Sequence, residues 1–160
     1  MPNLKERLFQ KIKEWRPRTT KLLKEFGHVK LDEVTIEQCI GGMRDIKSLV
    51  TDISYLDPQE GIRFRGFLIP ELLQKLPKVP GCEMPYVEGL FYLLLTGDVP
   101  TEAEVAEIHE EFRKRAAVPT YIWDILAAMP KDTHPMTMFS AAILSLQKES
   151  LFAKAYEGGL

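Results

Sequence analysis

The sequence has no apolar run close to the roughly 20 residues that a membrane-spanning helix needs. Its longest candidate is the short segment 90–95. The N-terminus has neither a secretory apolar core nor the Arg- and Ser-rich, acid-poor character of an organellar targeting peptide. These absences argue against a membrane partner. They predict either a cytosolic protein or one from which a presequence has been removed.

A large excess of charge of either sign is also absent. The 160 residues carry a net charge of −2, with 28% charged and 45% hydrophobic residues. Because nucleic-acid-binding surfaces need clustered Lys and Arg, this balance argues against nucleic acid as a partner. The length and composition are those of a soluble globular chain that can bury a core.

Cysteine and histidine are scarce. Cys39 and Cys82 lie 43 positions apart, with no Cys-x-x-Cys pair and no histidine at metal-ligand spacing, so no metal site is predicted. We expect two buried thiols in a reducing compartment. His28 follows a helix-ending glycine, His109 lies among acids, and His134 lies at a predicted helix N-cap, so all three favour cap or surface roles over catalysis.

Helical periodicity dominates both ends of the chain. An N-terminal helix region is predicted over residues 1–27, opened by a capping box of Asn3 and Glu6 and kinked or divided by Pro17. Residues 70–160 predict further helices, among them a buried one at 87–95 and one that Thr101 and Glu104 cap. The pieces are too small for separate domains, so one mainly α domain over 1–160 is expected.

Residues 28–67 predict short β elements instead. Extended pieces are expected at 29–31 and 34–36, and a hairpin is expected near residues 48–67, around a turn at 57–61. Alternation along its second strand places Arg63 and Arg65 on one face. Two guanidinium groups on one face can grip an anion; the alternative is a solvated face or pairing with nearby acids.

The segment 41–47 combines two glycines with two cations. The glycines can expose backbone N–H groups, and Arg44 and Lys47 add positive charge close by. This combination is typical of a phosphate clamp. A loop with solvated basic residues is the alternative.

A helix predicted over 135–147 is apolar or small on nearly every side. A helix without a polar face must be covered all round. Packing within the chain can do this, but we favour burial in a dimer interface or under a segment outside these residues.

Seven segments in one order resemble the N-terminal portion of citrate synthase of the eukaryotic mitochondrial type. They are Gly-Gly-Met-Arg at 41–44, Leu-Asp-Pro-Gln-Glu-Gly-Ile-Arg-Phe-Arg-Gly at 56–66, Glu-Gly-Leu-Phe-Tyr-Leu-Leu-Leu-Thr-Gly at 88–97, Pro-Thr-Glu at 100–102, Lys-Arg-Ala-Ala at 114–117, His-Pro-Met at 134–136 and Phe-Ala-Lys-Ala-Tyr at 152–156. The resemblance covers nearly the whole chain.

The resemblance implies the large domain of a mainly α-helical, homodimeric enzyme of the tricarboxylic acid cycle in the mitochondrial matrix. That enzyme condenses acetyl-CoA with oxaloacetate and water to citrate and CoA, without a permanently bound cofactor. Its dimer interface would include the helices near 119–129 and 135–147. Arg44 matches an arginine that binds CoA phosphate groups.

In the family, an aspartate removes a methyl proton, one histidine stabilises the enol, another acts on the oxaloacetate carbonyl, and arginines hold the carboxylates. The resemblance places these groups beyond residue 160, so it implies no catalytic residue here and an inactive isolated chain. Two alternatives stay open: a truncated helical module that pairs with full-length subunits, and part of a 2-methylcitrate synthase that uses propionyl-CoA.

Overall fold

The computed structural model describes residues 3–47 and 49–159. Helices dominate this part of the chain: α1 (Leu4–Phe26), α2 (Ile36–Ile40), α3 (Ile69–Lys75), α4 (Val87–Thr96), α5 (Glu102–Lys114), α6 (Thr120–Ala128), α7 (Pro135–Ser145) and α8 (Leu151–Glu157). A small antiparallel sheet contains β1 (Ser54–Asp57), β2 (Gly61–Phe64) and β3 (Phe67–Leu68). The predicted mainly α class with a small β element is confirmed. The chain divides after Arg113 into two compact units.

Helix α1 begins as the sequence predicts. The Asn3 side chain accepts from the Glu6 N–H, and the Glu6 carboxylate accepts from the Asn3 N–H. The expected division at Pro17 is wrong, because α1 runs through that position. Proline removes only its own N–H donor, so the turns on both sides keep their hydrogen bonds.

The expected extended pieces at 29–31 and 34–36 form no strands, although Thr35 has the extended backbone that was predicted. The first has no strand pairing, and the second leads into helix α2. Thr35 caps this helix: its hydroxyl accepts from the Gln38 N–H at 3.2 Å, and the Gln38 side chain accepts from the Thr35 N–H at 2.9 Å. The capping box outweighs the β-branched residues that suggested a strand.

The predicted hairpin is confirmed around its turn. Asp57 accepts from the N–H groups of Gln59 and Glu60, both at 2.8 Å, and β1 pairs with β2 from Ser54 opposite Phe64 to Asp57 opposite Gly61. The first strand is shorter than expected, and Ser48, the start of the predicted hairpin, lies outside the described residues. A third strand follows β2 after a two-residue turn.

The hydrophobic core of the first unit lies between α3 and α4. Leu93 is fully buried and packs with Leu72 and Leu76. Side chains from the sheet and from α4 cover this cluster: Phe64, Phe67 and Leu90. Helix α4, predicted to be a buried helix, buries Tyr92 and Leu93, whereas its Val87 side chain is exposed.

Contacts between α4 and α5 extend this core. The Tyr92 hydroxyl donates to Glu104 at 2.6 Å, and burial together with this carboxylate raises the pKa of Tyr92 to about 12. Phe91 meets Phe112 edge to face, with ring centroids 5.3 Å apart. The predicted capping box is confirmed, since Thr101 and Glu104 bond reciprocally at the start of α5.

Asp98, just after α4, connects α1 to the rest of the first unit. Its carboxylate accepts from Arg7 at 2.6 and 3.1 Å and from Lys11 at 2.9 Å. Burial raises the pKa of the Asp98 carboxyl, but the hydrogen bonds from Lys11 and Arg7 outweigh burial and hold the pKa below its ordinary value. The ionised carboxylate therefore stabilises the attachment of α1.

We expect Asp98→Asn to destabilise the protein near neutral pH and to lose this effect in acid. Because the folded pKa lies below the unfolded one, the stabilisation is present above about pH 4 and disappears as the pH falls through the folded value. Asp98 and Arg7 are each 34% exposed, so solvent screening limits the effect to about 1 kcal/mol.

Urea unfolding of both proteins across a pH series measures this difference. Asp124→Asn removes an exposed carboxylate on α6 and serves as the control. A difference for Asp98→Asn that stays constant down to about pH 2 would contradict the assignment.

The second unit contains α6, α7 and α8. The predicted helices at 119–129 and 135–147 are confirmed, with the first one residue shorter at each end and a 3-10 helix at Leu146–Glu149 in place of the end of the second. Helix α8 lies within the range 70–160 that was predicted to be helical, although its own boundaries were not predicted. Ser150 caps it by accepting from the Ala153 N–H at 3.1 Å. Ile122 is buried, and the Tyr121 hydroxyl donates to the Ser145 carbonyl at 3.2 Å.

Candidate functional site

The loop that carries Arg44 follows helix α2. Its backbone turns sharply, with positive φ angles at Gly42 (80°), Met43 (64°) and Asp45 (57°). The N–H of Gly41 donates to the Glu37 carbonyl at 2.8 Å, and the N–H groups of Gly42 and Met43 also donate to carbonyls of α2. The expectation that the two glycines expose their N–H groups is therefore wrong. These donors cap the helix instead.

The Arg44 side chain is the group in this loop that is left for a ligand. It is exposed, and within residues 3–47 and 49–159 it makes no hydrogen bond or ion pair, while its backbone carbonyl accepts from Gln38 at 3.3 Å. Lys47 pairs with Asp32 at 3.2 Å. The two cations of the predicted clamp thus differ, because Lys47 already has a carboxylate partner.

Arg63 and Arg65 do not act together. Strand β2 ends at Phe64, and Arg65 lies in the turn that follows, with a φ of 49°. Arg63 pairs with Glu60 and donates to the Gly66 carbonyl. The alternative that these arginines pair with nearby acids is confirmed.

Arg65 joins three parts of the first unit. Its guanidinium donates twice to the Leu94 carbonyl of α4, at 2.7 and 3.1 Å, and pairs with Asp52 at 2.8 Å. Its backbone N–H donates to the Ile53 carbonyl at 2.8 Å. The side chain is only 13% exposed, so it is a structural clamp rather than an anion-binding group.

The three histidines lie in three different segments of the described chain. His134 caps α7, where its Nδ1 accepts from the Met136 N–H at 3.2 Å, as the sequence predicts. His28 is exposed in the turn after α1. His109 is on α5, and its Nδ1 lies 2.8 Å from the Glu88 carboxylate of α4.

The pair of Glu88 and His109 is the feature that sequence reasoning missed. Glu88 is buried, and burial alone raises the pKa of its carboxyl. Hydrogen bonds from its own backbone N–H and from His109 outweigh burial, so the pKa lies below its ordinary value. The partners are 21 positions apart on different helices, and no sequence signal joins them.

Both cysteines differ from expectation. Cys39 and Cys82 are exposed free thiols, so their predicted burial is wrong. Cys39 follows the first turn of a very short helix, and Cys82 lies in a proline-rich loop where its sulfur accepts from the Met84 N–H at 3.4 Å. Among the described residues, no group of three His, Cys, Asp or Glu side chains could hold a metal ion, and no helix is long and apolar enough to cross a membrane.

Helix α7 presents a broad apolar surface. Four of its large side chains are more than half exposed: Met136, Phe139, Ile143 and Leu144. Burying apolar surface from water contributes about 25 cal/mol per Å². This surface therefore favours association with another apolar surface.

Residues 42–157 match the family model described as "Citrate synthase, C-terminal domain". The chain is 46% identical over 158 residues to the mitochondrial citrate synthase of Xiphias gladius, which covers 99% of this chain and 34% of that protein. Identity to the mitochondrial citrate synthase of Saccharomyces cerevisiae is 46% over 157 residues, or 98% and 33% of the two chains. The mitochondrial 2-methylcitrate synthase of Yarrowia lipolytica is 45% identical over 157 residues, a match that covers 98% of this chain and 34% of that protein. The chain spans about a third of the length of these relatives.

Proposed function

The chain belongs to the citrate synthase family, and we propose that it is the N-terminal part of an enzyme that condenses acetyl-CoA with oxaloacetate and water to citrate and CoA. The match of residues 42–157 to the family carries this proposal. The mitochondrial names of the relatives support a location in the mitochondrial matrix, and we propose that the reaction belongs to the tricarboxylic acid cycle. Acetyl-CoA is a cosubstrate in this scheme, and no permanently bound cofactor is needed.

Arg44 is the residue to which we assign a role in this reaction. A guanidinium group matches the geometry of a phosphate and can donate two parallel hydrogen bonds to it. Arg44 is exposed and, in the part of the chain that the structure describes, its side chain has no competing carboxylate. We therefore propose that it binds a phosphate group of CoA.

The 160 residues by themselves should lack condensing activity. The reaction needs a base for the methyl proton and donors for the developing enolate. His134 caps a helix, His109 pairs with a carboxylate, and neither pairs with an aspartate within the described residues. The catalytic groups of the whole enzyme would come from outside this chain.

Two measurements on the purified chain test these assignments. With acetyl-CoA and oxaloacetate present, we expect no release of free thiol above the rate of the buffer. In a calorimetric titration with CoA, Arg44→Ala should weaken binding roughly tenfold, the loss of one charge-assisted hydrogen bond. Arg18→Ala removes an exposed arginine from α1 and is the control.

Thiol release that depends on oxaloacetate would overturn the proposed inactivity. If Arg44→Ala and Arg18→Ala weaken the affinity for CoA equally, CoA is bound by a general attraction between opposite charges and not by a specific contact with Arg44. Titrating the chain with acetyl-CoA and with propionyl-CoA under the same conditions examines the alternative of a 2-methylcitrate synthase, which the similar identity of the Yarrowia lipolytica relative supports.

A second candidate function is a module that pairs with full-length subunits. The exposed apolar surface of α7 favours it, and we propose that the helices near 119–129 and 135–147 form the interface, in the homodimer of the whole enzyme as well as in the module. Co-purification with a tagged full-length relative tests pairing. A chain that stays monomeric and never captures the full-length enzyme removes this candidate.

A further inference from the structure

A pocket of about 370 Å³ lies between helix α5 and the loop 77–86 of the first unit. The loop is fixed by its own backbone: Lys78 and Pro85 form a β-bridge, and the Tyr86 N–H donates to the Pro77 carbonyl at 3.0 Å. On the opposite side, α5 is anchored in the core by Val105. Both walls are therefore formed before a ligand arrives, and the volume is that of a site for a small molecule.

The walls of this pocket are mainly apolar. They consist of two prolines, two aliphatic side chains and two rings: Pro77, Pro80, Val105, Ala106, Tyr86 and His109. The Tyr86 and His109 rings meet edge to face, with centroids 6.3 Å apart. Such a lining suits an aromatic or branched aliphatic body of modest size.

The polar groups of the pocket give it an excess of hydrogen-bond acceptors. Among the described residues, the Glu102 carboxylate has no hydrogen-bond or ion-pair partner. Glu110 is 3.4 Å from Arg113, and the Lys78 ammonium is held by Glu83 at 2.9 Å. The positive charge at the rim is thus already neutralised, while Glu102 is left for a ligand.

The neutral form of His109 adds a second acceptor. A carboxylate can only accept, so in the neutral ring the proton lies on Nδ1, which faces Glu88. The other ring nitrogen, Nε2, then carries a lone pair. A ligand that fits this pocket needs donors, and the nearby carboxylates favour positive charge.

We propose that this pocket binds small amphipathic cations, in which a primary ammonium group is attached to an aromatic or branched aliphatic body. The body lies against Pro77, Val105 and Ala106, and the ammonium donates to Glu102. The Tyr86 ring strengthens the site, because cations are attracted to the faces of aromatic rings. This site is independent of the proposed condensation and of Arg44.

Three probes of nearly equal shape test the proposal on the full 160-residue chain: phenethylamine, 2-phenylethanol and phenylacetate. Binding is measured by ligand-observed saturation-transfer NMR at millimolar concentration. We expect phenethylamine to bind at least fivefold more tightly than 2-phenylethanol and phenylacetate to bind most weakly. Equal binding of phenethylamine and phenylacetate, or no binding of phenethylamine, overturns the proposal without the need for any variant.

Two variants then locate the site. Ala106→Trp fills the pocket and should abolish phenethylamine binding, whereas Ala103→Trp, on the same helix outside the lining, should leave it unchanged. Glu102→Gln should weaken phenethylamine about fivefold and leave 2-phenylethanol unaffected, with Glu107→Gln as its control. Unchanged phenethylamine binding by Ala106→Trp places the cation elsewhere and overturns the assignment.

Discussion

Leu93→Ala should lower the free energy of unfolding by roughly 2–5 kcal/mol, because it removes the side chain at the centre of the core. Leu93 is fully buried against Leu72 of α3 and Leu76, the residue that follows this helix. Truncation to alanine loses the transfer free energy of the removed carbons and leaves a cavity that the rigid surroundings fill only in part. Such a loss is a large fraction of the total stability of a small domain.

Urea unfolding followed by far-UV circular dichroism measures this effect as a shift of the midpoint. Leu23→Ala is a matched control, since it makes the same chemical change on α1, where the side chain is mostly exposed. We expect that control to stay within about 0.5 kcal/mol of the unmodified protein. Equal shifts for both variants would show that α4 is not the centre of the first unit.

The sequence predicts elements best where a local signal fixes a boundary. Two capping boxes predict the starts of α1 and α5, formed by Asn3 with Glu6 and by Thr101 with Glu104. The structure confirms both. A local signal also fixes the end of α4, where Gly97 is the C-cap. Its φ of 79° lies in the left-handed region that glycine enters without a steric penalty.

The errors occur where two local signals compete. Thr35 lies between Val34 and Ile36, and these three β-branched residues suggest a strand. Yet Thr35 and Gln38 also have the spacing of a capping box, and that signal decides the structure. A search for caps before strands would have found α2.

The same competition explains why Arg63 and Arg65 do not lie on one strand face. Alternation continues through Arg65, but the chain must turn there so that Phe64 can pair with Phe67. Positive φ angles at Arg65 and Gly66 form the two-residue hairpin turn whose twist matches that of the strands. Gly66 is a local signal for this turn, whereas the contact of Arg65 with the Leu94 carbonyl depends on the tertiary fold.

Candidate sites were less predictable than elements because they depend on contacts between distant residues. The exposure of Arg44 agrees with the predicted ligand-binding role but does not test it. The pair of Glu88 and His109 and the pocket beside it arise from the packing of α4 against α5 and the loop 77–86. No spacing rule contains that information.

Arg65→Ala should have the second large effect on stability, a loss of roughly 2–4 kcal/mol. The substitution removes two hydrogen bonds to the Leu94 carbonyl and the ion pair with Asp52. The guanidinium is mostly buried, so water cannot easily replace these bonds for the carbonyl that is left behind. Arg65→Lys keeps the charge but loses the planar guanidinium group. Its free energy of unfolding should therefore lie between those of Arg65→Ala and the unmodified protein.

Arg63→Ala is the matched control for this prediction. It removes the same side chain two positions away, where the guanidinium pairs with Glu60 in an exposed position. Exposed ion pairs contribute little because solvent screens them, so the urea midpoint of this control should stay close to that of the unmodified protein. A larger midpoint shift for Arg63→Ala than for Arg65→Ala would mean that the strand face, and not the clamp to α4, stabilises the sheet.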